Sequence, residues 1–283
     1  MILDGKKIAE AIYENLKNFP APKKFLAGIL VGEDSTSSGF LKRKFSVAKE
    51  LGVDFRLYNF SADILSDKLR EEVGRIANQS VCGGVILQLP LPGQINAQYV
   101  LNAIPSTKDV DVLGERALGA FYAGRSRVLP PSVATVEEIL KKFPLNLFDS
   151  AVAVVGVGRL IGKPVATWLL GKTKEFIVLD KGGDYSALEK ADLAILGAGA
   201  AALIKGETLK DGAAVIDFGY AKDSDGKVSG DLDLDSKLGH LNFYTPTPGG
   251  TGPILVAKIL ENFYKLNSKN IAPPAGIEPT STP

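Results

Sequence analysis

The sequence predicts an α/β protein in which two series of parallel β-strands form two domains. Short apolar runs typical of strands alternate with amphipathic helical stretches, a pattern that implies right-handed βαβ units. Residues 114–131 contain several glycines and prolines, separate the two series and are interpreted as a connection between domains. The 283 residues are 45% hydrophobic and 23% charged, which is typical of a globular chain large enough to bury a sizeable core.

The first series is predicted to begin with a helix, because Ile8, Ile12 and Leu16 recur at helical spacing. Three strands and two further helices follow, in the order strand 26–31, helix 37–51, strand 53–60, helix 65–78 and strand 84–89. We assign residues 1–128 to a first domain, to which a C-terminal helix at 253–266 is predicted to return.

The second series places strands at 151–155, 176–179, 193–196, 213–218 and near 242–244, with helices after Leu160 and after Pro253. Residues 129–252 form the predicted second domain. Residues 267–283 contain too few apolar side chains to order themselves and are predicted to be disordered.

Charge and composition exclude several classes of protein. The chain has 33 Lys and Arg residues against 32 Asp and Glu residues, so neither a nucleic acid nor a membrane surface is an expected partner. A single cysteine and a single histidine exclude an internal disulfide and a cysteine-based zinc site, and we expect no metal. Because no apolar stretch approaches the roughly 20 residues that span a bilayer, a cytoplasmic protein is expected.

A glycine-rich turn follows the strand at 151–155 and opens a helix. Its glycines, Gly156, Gly158 and Gly162, would let the backbone approach a pyrophosphate, and the helix N-terminus would supply N–H donors. The turn therefore predicts a dinucleotide site. Since the glycine spacing differs from the standard motif, a turn that binds no ligand is the alternative.

Lys44 lies on the apolar side of the helix predicted at 37–51, on an arc with Leu41, Phe45 and Ala48. A lysine in this position either extends its amine to solvent or lies in a cavity that disfavours the ammonium form. In the second case the lysine can carry a proton near neutral pH.

Two polar residues and a loop complete the candidate site. Gln88 closes a buried strand at the edge where parallel sheets collect ligands, and its amide needs a partner. Asp111 can bind N–H groups of a heterocycle, although an aspartate more often caps a helix or pairs with a cation. The Pro- and Gly-rich loop 245–253, which includes Thr247, is either a rigid turn or a second wall of a cofactor site.

Each of these motifs is a weak signal alone, but their order along the chain is characteristic of one protein family. They are Lys44, residues 84–91, residues 108–111, the glycine turn, residues 230–233 and the loop 245–253. With them the sequence resembles the bifunctional methylenetetrahydrofolate dehydrogenase/methenyltetrahydrofolate cyclohydrolase family over all but the C-terminal tail. The resemblance implies two domains flanking a cleft, a parallel-sheet folate-binding catalytic domain and a Rossmann-type dinucleotide-binding domain, in a homodimer. It also implies two reactions: NADP-dependent oxidation of 5,10-methylenetetrahydrofolate, and hydrolysis of the methenyl product to 10-formyltetrahydrofolate.

The resemblance also implies roles for individual residues. Lys44 matches the family's catalytic lysine, Gln88 the glutamine that positions it, and Asp111 the pterin-binding aspartate, whereas Phe40 stands where the family usually has tyrosine. The implied substrate-binding residues are Phe40, Gln88, Asp111, Pro248, Gly249 and Gly250. The implied cofactor-binding residues are Gly156, Gly158, Arg159, Gly162, Asp180, Lys181 and Thr247.

The choice between NADP and NAD depends on the end of the strand at 176–179. Asp180 has the spacing of an acidic residue that binds the ribose 2′-hydroxyl, which favours NAD. Lys181 and Arg159 supply two cations that suit the 2′-phosphate of NADP, and NADP is the cofactor we predict. Two other functions stay open: a folate- or nucleotide-binding protein without turnover, and a Rossmann-type dehydrogenase of another small acid.

Overall fold

The computed structural model describes residues 1–32, 35–222 and 226–268. Within them the predicted α/β class with parallel sheets is confirmed, and the chain divides into two compact units. Ile12–Pro131 and the helical residues from Val256 onward form one, here called the Lys44 unit. Met1–Ala11 and Ser132–Leu255 form the other, here called the glycine-turn unit.

The first residues of the chain lie in the glycine-turn unit, whereas the sequence assigned them to the first domain. The Leu3 N–H donates to the Tyr244 carbonyl at 2.9 Å, and the Gly5 N–H donates to the Gly249 carbonyl at 3.0 Å. These bonds pair the start of the chain with an edge strand and with the Pro- and Gly-rich loop 245–253. Such long-range pairing leaves no local pattern in the sequence.

Three parallel strands form the sheet of the Lys44 unit, in the order β2–β1–β3. Strands β1 and β3 are buried almost throughout, as expected of parallel strands covered on both faces. Up to residue 122 the elements are α1 (Gly5–Lys17), β1 (Phe25–Val31), α2 (Ser35–Glu50), β2 (Phe55–Phe60), α3 (Ser66–Ala77), β3 (Cys82–Leu87), α4 (Ala97–Leu101) and α5 (Glu115–Tyr122). Helix α1 begins in the glycine-turn unit and enters the Lys44 unit at Ile12. The strands and the helices α2 and α3 lie within two residues of their predicted bounds.

The core of this unit follows from helical and strand periodicity. Leu69, Val73 and Ile76 recur at helical spacing on α3 and are fully buried. They belong to one apolar cluster with Ile29 of β1 and Val85 of β3. The cluster fixes β1 and β3 side by side, and with them the strand end that carries Gln88.

The sheet of the glycine-turn unit has five parallel strands, in the order β10–β7–β6–β4–β5. Strands β4, β6 and β7 are buried along their whole length. From residue 131 onward the elements are α6 (Pro131–Lys142), β4 (Ala151–Val155), α7 (Gly162–Leu169), β5 (Glu175–Leu179), β6 (Leu193–Leu196), β7 (Ala214–Asp217), the antiparallel pair β8 (Ala221–Lys222) and β9 (Val228–Ser229), β10 (Phe243–Tyr244) and α8 (Thr251–Asn267), with 3₁₀ turns at Leu147–Asp149, Tyr185–Lys190 and Gly206–Thr208. Helix α8 passes from this unit into the Lys44 unit at Val256.

The interpretation of residues 114–131 as a loose connection is wrong. Helix α5 occupies Glu115–Tyr122, because Ala117 and Phe121 are buried one turn apart on its inner face. Gly119, which suggested a loop, is exposed on that helix. Helix α6, which the sequence did not predict, begins at Pro131, where a proline suits the first turn.

Most of the predicted disordered tail, residues 269–283, lies outside the described residues. Asn267, which was included in that prediction, instead ends helix α8. Its side-chain amide donates to the Phe263 carbonyl at 2.8 Å and to the Gly83 carbonyl at 3.0 Å. None of the helices in the described part of the chain is both long and apolar enough to cross a membrane.

Candidate functional site

Lys44 and Gln88 meet inside the Lys44 unit. Lys44 projects from α2 and is 9% exposed, and its Nζ donates to Gln88 Oε1 at 3.1 Å. Gln88 directly follows β3, and its Nε2 donates to the Leu89 carbonyl at 2.8 Å. The glutamine amide is therefore held at both ends and turns its oxygen toward the lysine. Of the two alternatives for Lys44, the structure shows the buried amine.

Burial and charge act on Lys44 in opposite directions. Desolvation lowers the pKa of Lys44, and the negative charge of Asp111 raises it by a smaller amount. Burial likewise raises the pKa of Asp111, and the charge of Lys44 lowers it. Both groups are thus displaced toward their neutral forms, so the amine releases its proton at lower pH than an exposed lysine does.

Asp109, which the sequence analysis did not single out, organises the turn that carries Asp111. Its Oδ2 accepts the N–H groups of Leu113 at 2.9 Å and Gly114 at 2.8 Å. Val112, between Asp111 and Leu113, has a φ of 56°, a left-handed conformation that a β-branched residue rarely adopts. Burial raises the pKa of Asp109 to about 6. The carboxylate and the strained residue together fix the direction of the chain after Asp111.

Phe40 is half-buried on α2, one helical turn before Lys44. It carries no hydroxyl, so the aromatic ring at this position offers an apolar surface rather than a proton donor. Its assignment to the substrate site stays a prediction.

The glycine turn of the second unit is close-packed. Gly156 follows β4 with a φ of 86°, and a Cβ there would lie 2.5 Å from the backbone N of Ala198. A Cβ on Gly162, the first residue of α7, would overlap the Gly156 carbonyl. Gly158 is exposed and has open space around it. Within the described residues, no side chain therefore covers the backbone of this turn at the N-terminus of α7. This arrangement allows a pyrophosphate to approach the backbone N–H groups.

Asp180, Lys181 and Arg159 are all exposed near the carboxyl ends of β5 and β4. The backbone N–H of Lys181 donates to Asp180 Oδ1 at 2.9 Å. The side-chain carboxylate therefore closes a local turn at the strand end. Whether the two cations bind a phosphate stays a prediction.

The Pro- and Gly-rich loop is held by hydrogen bonds within the glycine-turn unit. Thr245 Oγ1 accepts the Asp217 N–H at 2.7 Å, and Thr251 Oγ1 donates to the Asp217 carbonyl at 2.8 Å. Gly250 is buried, Thr247 and Gly249 are half-buried, and Pro248 is exposed. The predicted substrate-binding residues thus fall into two groups: Phe40, Gln88 and Asp111 in the Lys44 unit, and Pro248, Gly249 and Gly250 in the other.

Family models match both halves of the chain. Residues 3–111 match the catalytic domain of tetrahydrofolate dehydrogenase/cyclohydrolase. Residues 130–271 match the NAD(P)-binding domain of the same family. The first match contains Lys44, Gln88 and Asp111, and the second contains the glycine turn and the Pro- and Gly-rich loop.

Individual relatives resemble the chain over nearly its whole length. The bifunctional protein FolD of Streptococcus thermophilus is 32% identical over 274 residues, which cover 94% of this chain and 96% of that protein. The crystal structure of the Campylobacter jejuni bifunctional enzyme FolD has a TM-score of 0.89 at 30% identity and covers 94% of this chain and 98% of that one. The FolD structure from Trypanosoma brucei, solved with NADP and an inhibitor, has a TM-score of 0.88 at 26% identity and covers 94% and 96%.

Proposed function

Because the chain belongs to the tetrahydrofolate dehydrogenase/cyclohydrolase family, we propose that it catalyses both reactions of the bifunctional relatives. These are the NADP-dependent oxidation of 5,10-methylenetetrahydrofolate and the hydrolysis of 5,10-methenyltetrahydrofolate to 10-formyltetrahydrofolate. The observation that carries the proposal is the buried Lys44 amine, hydrogen-bonded to Gln88, whose pKa is lowered by burial and raised to a smaller extent by the charge of Asp111.

The hydrolytic reaction needs a group that accepts a proton from water. The methenyl carbon is part of a cation, so an ammonium beside it would be repelled, whereas a neutral amine would not. Desolvation lowers the pKa of Lys44, and Gln88 holds its nitrogen in place. Lys44 accordingly takes one proton of the water whose oxygen adds to the methenyl carbon. The bond between that carbon and N5 then breaks, N5 gains a proton as the added hydroxyl loses one, and the formyl group stays on N10. Lys44 finally releases its proton to solvent.

Asp111 supplies the recognition of the pterin ring. Its carboxylate accepts N–H groups, and a pair of such bonds to a charged oxygen is stronger than neutral hydrogen bonds. The charge on Asp111 is favoured by Lys44 and disfavoured by burial. Bound N–H donors would shift this balance further toward the carboxylate.

The glycine-turn unit fits a nicotinamide dinucleotide. The close approach of Gly156 and Gly162 leaves no room for side chains, and the exposed Gly158 leaves the N-terminus of α7 open to a pyrophosphate. Bound there, NADP would supply the hydride acceptor for the methylene carbon. The protein's own contribution to this reaction is alignment, since hydride transfer requires no acid or base.

Replacing Lys44 by methionine tests the proposal. Methionine keeps most of the side-chain volume without the amine, so the fold should be retained while hydrolysis falls by about 10²-fold or more. The measurement is the decay of methenyltetrahydrofolate absorbance. Lys49→Met is the matched control, because Lys49 is an exposed lysine on the same helix. Hydrolysis by Lys44→Met at the parent rate would refute the assignment, and a parent without either activity would favour a binding protein without turnover.

We further propose that the protein is a cytoplasmic homodimer. Supporting this, β5 is an edge strand of its sheet, and its Val178 is 46% exposed, an apolar surface that a second copy could cover. The single cysteine suits a reducing compartment. Sedimentation equilibrium at micromolar concentration tests the oligomeric state, and a monomer would contradict it.

A further inference from the structure

We propose that Asp231 and Asp217 are positioning residues for cofactor binding: together they set the loop 197–200 against the glycine turn. The inference rests on the proposed NADP-dependent function. Neither aspartate belongs to the residues that the sequence analysis predicted to touch the cofactor. Both lie in the glycine-turn unit and both are fully buried.

Asp231 holds the loop that follows β6 by three consecutive backbone amides. Its Oδ2 accepts the N–H groups of Ala198 at 2.5 Å and Gly199 at 3.3 Å, and its Oδ1 accepts that of Ala200 at 2.8 Å. Both carboxylate oxygens therefore accept hydrogen bonds from one loop, which lies 31 to 33 residues before Asp231 in the sequence. A single side chain thus fixes the orientation of three successive peptide groups.

This loop is the surface on which the glycine turn rests. A Cβ on Gly156 would lie 2.5 Å from the Ala198 backbone, and a Cβ on Gly197 would lie 2.7 Å from the Ile161 side chain. Because Gly156 lies directly against the Ala198 backbone and Gly197 directly against the Ile161 side chain, a displacement of the loop displaces the turn. The position of the proposed pyrophosphate site thereby depends on Asp231.

Asp217, the last residue of β7, holds Asp231 in place. Its Oδ1 accepts the N–H groups of Gly219 at 2.6 Å and Asp231 at 3.3 Å, and its Oδ2 accepts that of Leu232 at 3.0 Å. A Cβ on Gly230 would overlap Asp217 Oδ2, so the backbone approaches the carboxylate as closely as it can. Through its own main chain Asp217 also bonds Thr245 and Thr251 of the Pro- and Gly-rich loop.

The two carboxylates thus connect both loops that flank the carboxyl edge of the sheet. A purely structural need does not explain the arrangement at Asp231. The loop 197–200 is half-buried to exposed, so water could satisfy its amides without a buried carboxylate. What the carboxylate adds is a fixed orientation of the amides, at the edge of a parallel sheet where ligands bind.

The test compares the two activities in Asp231→Asn and Asp231→Ala. Asparagine is isosteric and keeps one acceptor oxygen, whereas alanine keeps none, so the KM for NADP should rise in the order parent, Asn, Ala. We expect a rise of about tenfold or more in Asp231→Ala, corresponding to about 1.4 kcal/mol. Hydrolysis of methenyltetrahydrofolate without cofactor should stay within about twofold of the parent, because Lys44 lies in the other unit. Asp235→Asn is the control, an exposed aspartate on the same segment with the same change of charge.

The outcomes separate this inference from the proposed function. A parent that binds neither NADP nor NAD in a fluorescence titration refutes the dehydrogenase half of the function. A parent that binds NADP, together with an unchanged KM in both Asp231 variants, overturns the positioning role. Equal loss of both activities in the isosteric Asp231→Asn also overturns it, since that result would mean a general effect on folding. A selective rise in KM supports it.

Discussion

At Gln88 the side-chain amide is fixed at both ends, with Nε2 on the Leu89 carbonyl at 2.8 Å and Oε1 on Lys44 Nζ at 3.1 Å. A neutral acceptor at this place has a consequence for Lys44. A carboxylate there would hold the ammonium and raise the pKa of the lysine, whereas an amide orients the amine without adding charge. The lowering of the Lys44 pKa by burial is therefore compatible with a fixed position of the amine. Both properties are needed in a proton acceptor.

The choice of cofactor is also decided at single residues. We expect the parent to have a higher kcat/KM with NADP than with NAD, because Lys181 and Arg159 can bind the 2′-phosphate. Arg159→Ala should then lose this preference, and Asp180→Ser should strengthen it by removing a like charge. Steady-state kinetics with both cofactors measure the ratio. If the parent prefers NAD and Asp180→Ser turns it toward NADP, Asp180 reads the ribose hydroxyl and the NADP assignment is wrong.

Among the elements, those with a strong local signal could be predicted from the sequence. Strands β4 and β6 have the predicted bounds, because each is a short apolar run that ends at polar or glycine residues. Helix α5 could not be predicted in this way, since its burial depends on only Ala117 and Phe121 and its other positions resemble a loop. Tertiary packing, rather than the weak local sequence pattern, makes this segment helical.

The turn between β4 and α7 provides a test of what each glycine does. Gly162→Ala should destabilise the glycine-turn unit, because the new methyl group would overlap the Gly156 carbonyl. Gly158→Ala should fold normally, since its surroundings are open, yet it should weaken NADP binding by placing a methyl group beside the pyrophosphate. Thermal unfolding and a fluorescence titration distinguish the two effects. Normal NADP affinity in Gly158→Ala would argue that the cofactor does not approach this turn.

Across the whole molecule, the sequence identified some of the buried polar residues and missed others. Lys44, Gln88 and Asp111 stood out because a polar side chain in or after an apolar run needs a partner. The structure shows the hydrogen bond between Lys44 and Gln88, and the charge of Asp111 acts on the pKa of Lys44. The same signal was present at Asp217, which ends the apolar run of β7. The bond that Asp217 accepts from Gly219 is local, but those from Asp231 and Leu232 come from a segment 14 and 15 residues later. That part of the pattern follows from the folded backbone and not from spacing along the chain.

The buried aspartates predict how the stability of the whole protein depends on pH. Burial raises the pKa of Asp217 to about 7, with a further contribution from the charge of Asp231, and raises the pKa of Asp109 to about 6. In the unfolded chain an aspartate titrates near 3.9, so between about pH 4 and pH 7 the folded state binds more protons than the unfolded state. The stabilisation from these groups is complete below the unfolded pKa and is lost as the pH rises through the folded pKa.

The free energy of unfolding should therefore fall between about pH 4 and pH 7, and Asp217→Asn should flatten the part of this fall that lies above about pH 6. Asparagine does not titrate, so any constant cost of the substitution shifts the curve without changing its slope. Asp235→Asn, an exposed aspartate, is the control and should keep the parent slope. Urea unfolding of the three proteins at several pH values gives the measurement. If Asp217→Asn and the parent show the same slope above about pH 6, Asp217 is ionised in the folded protein throughout this range and its carboxylate is stabilised by its backbone donors more than burial disfavours it.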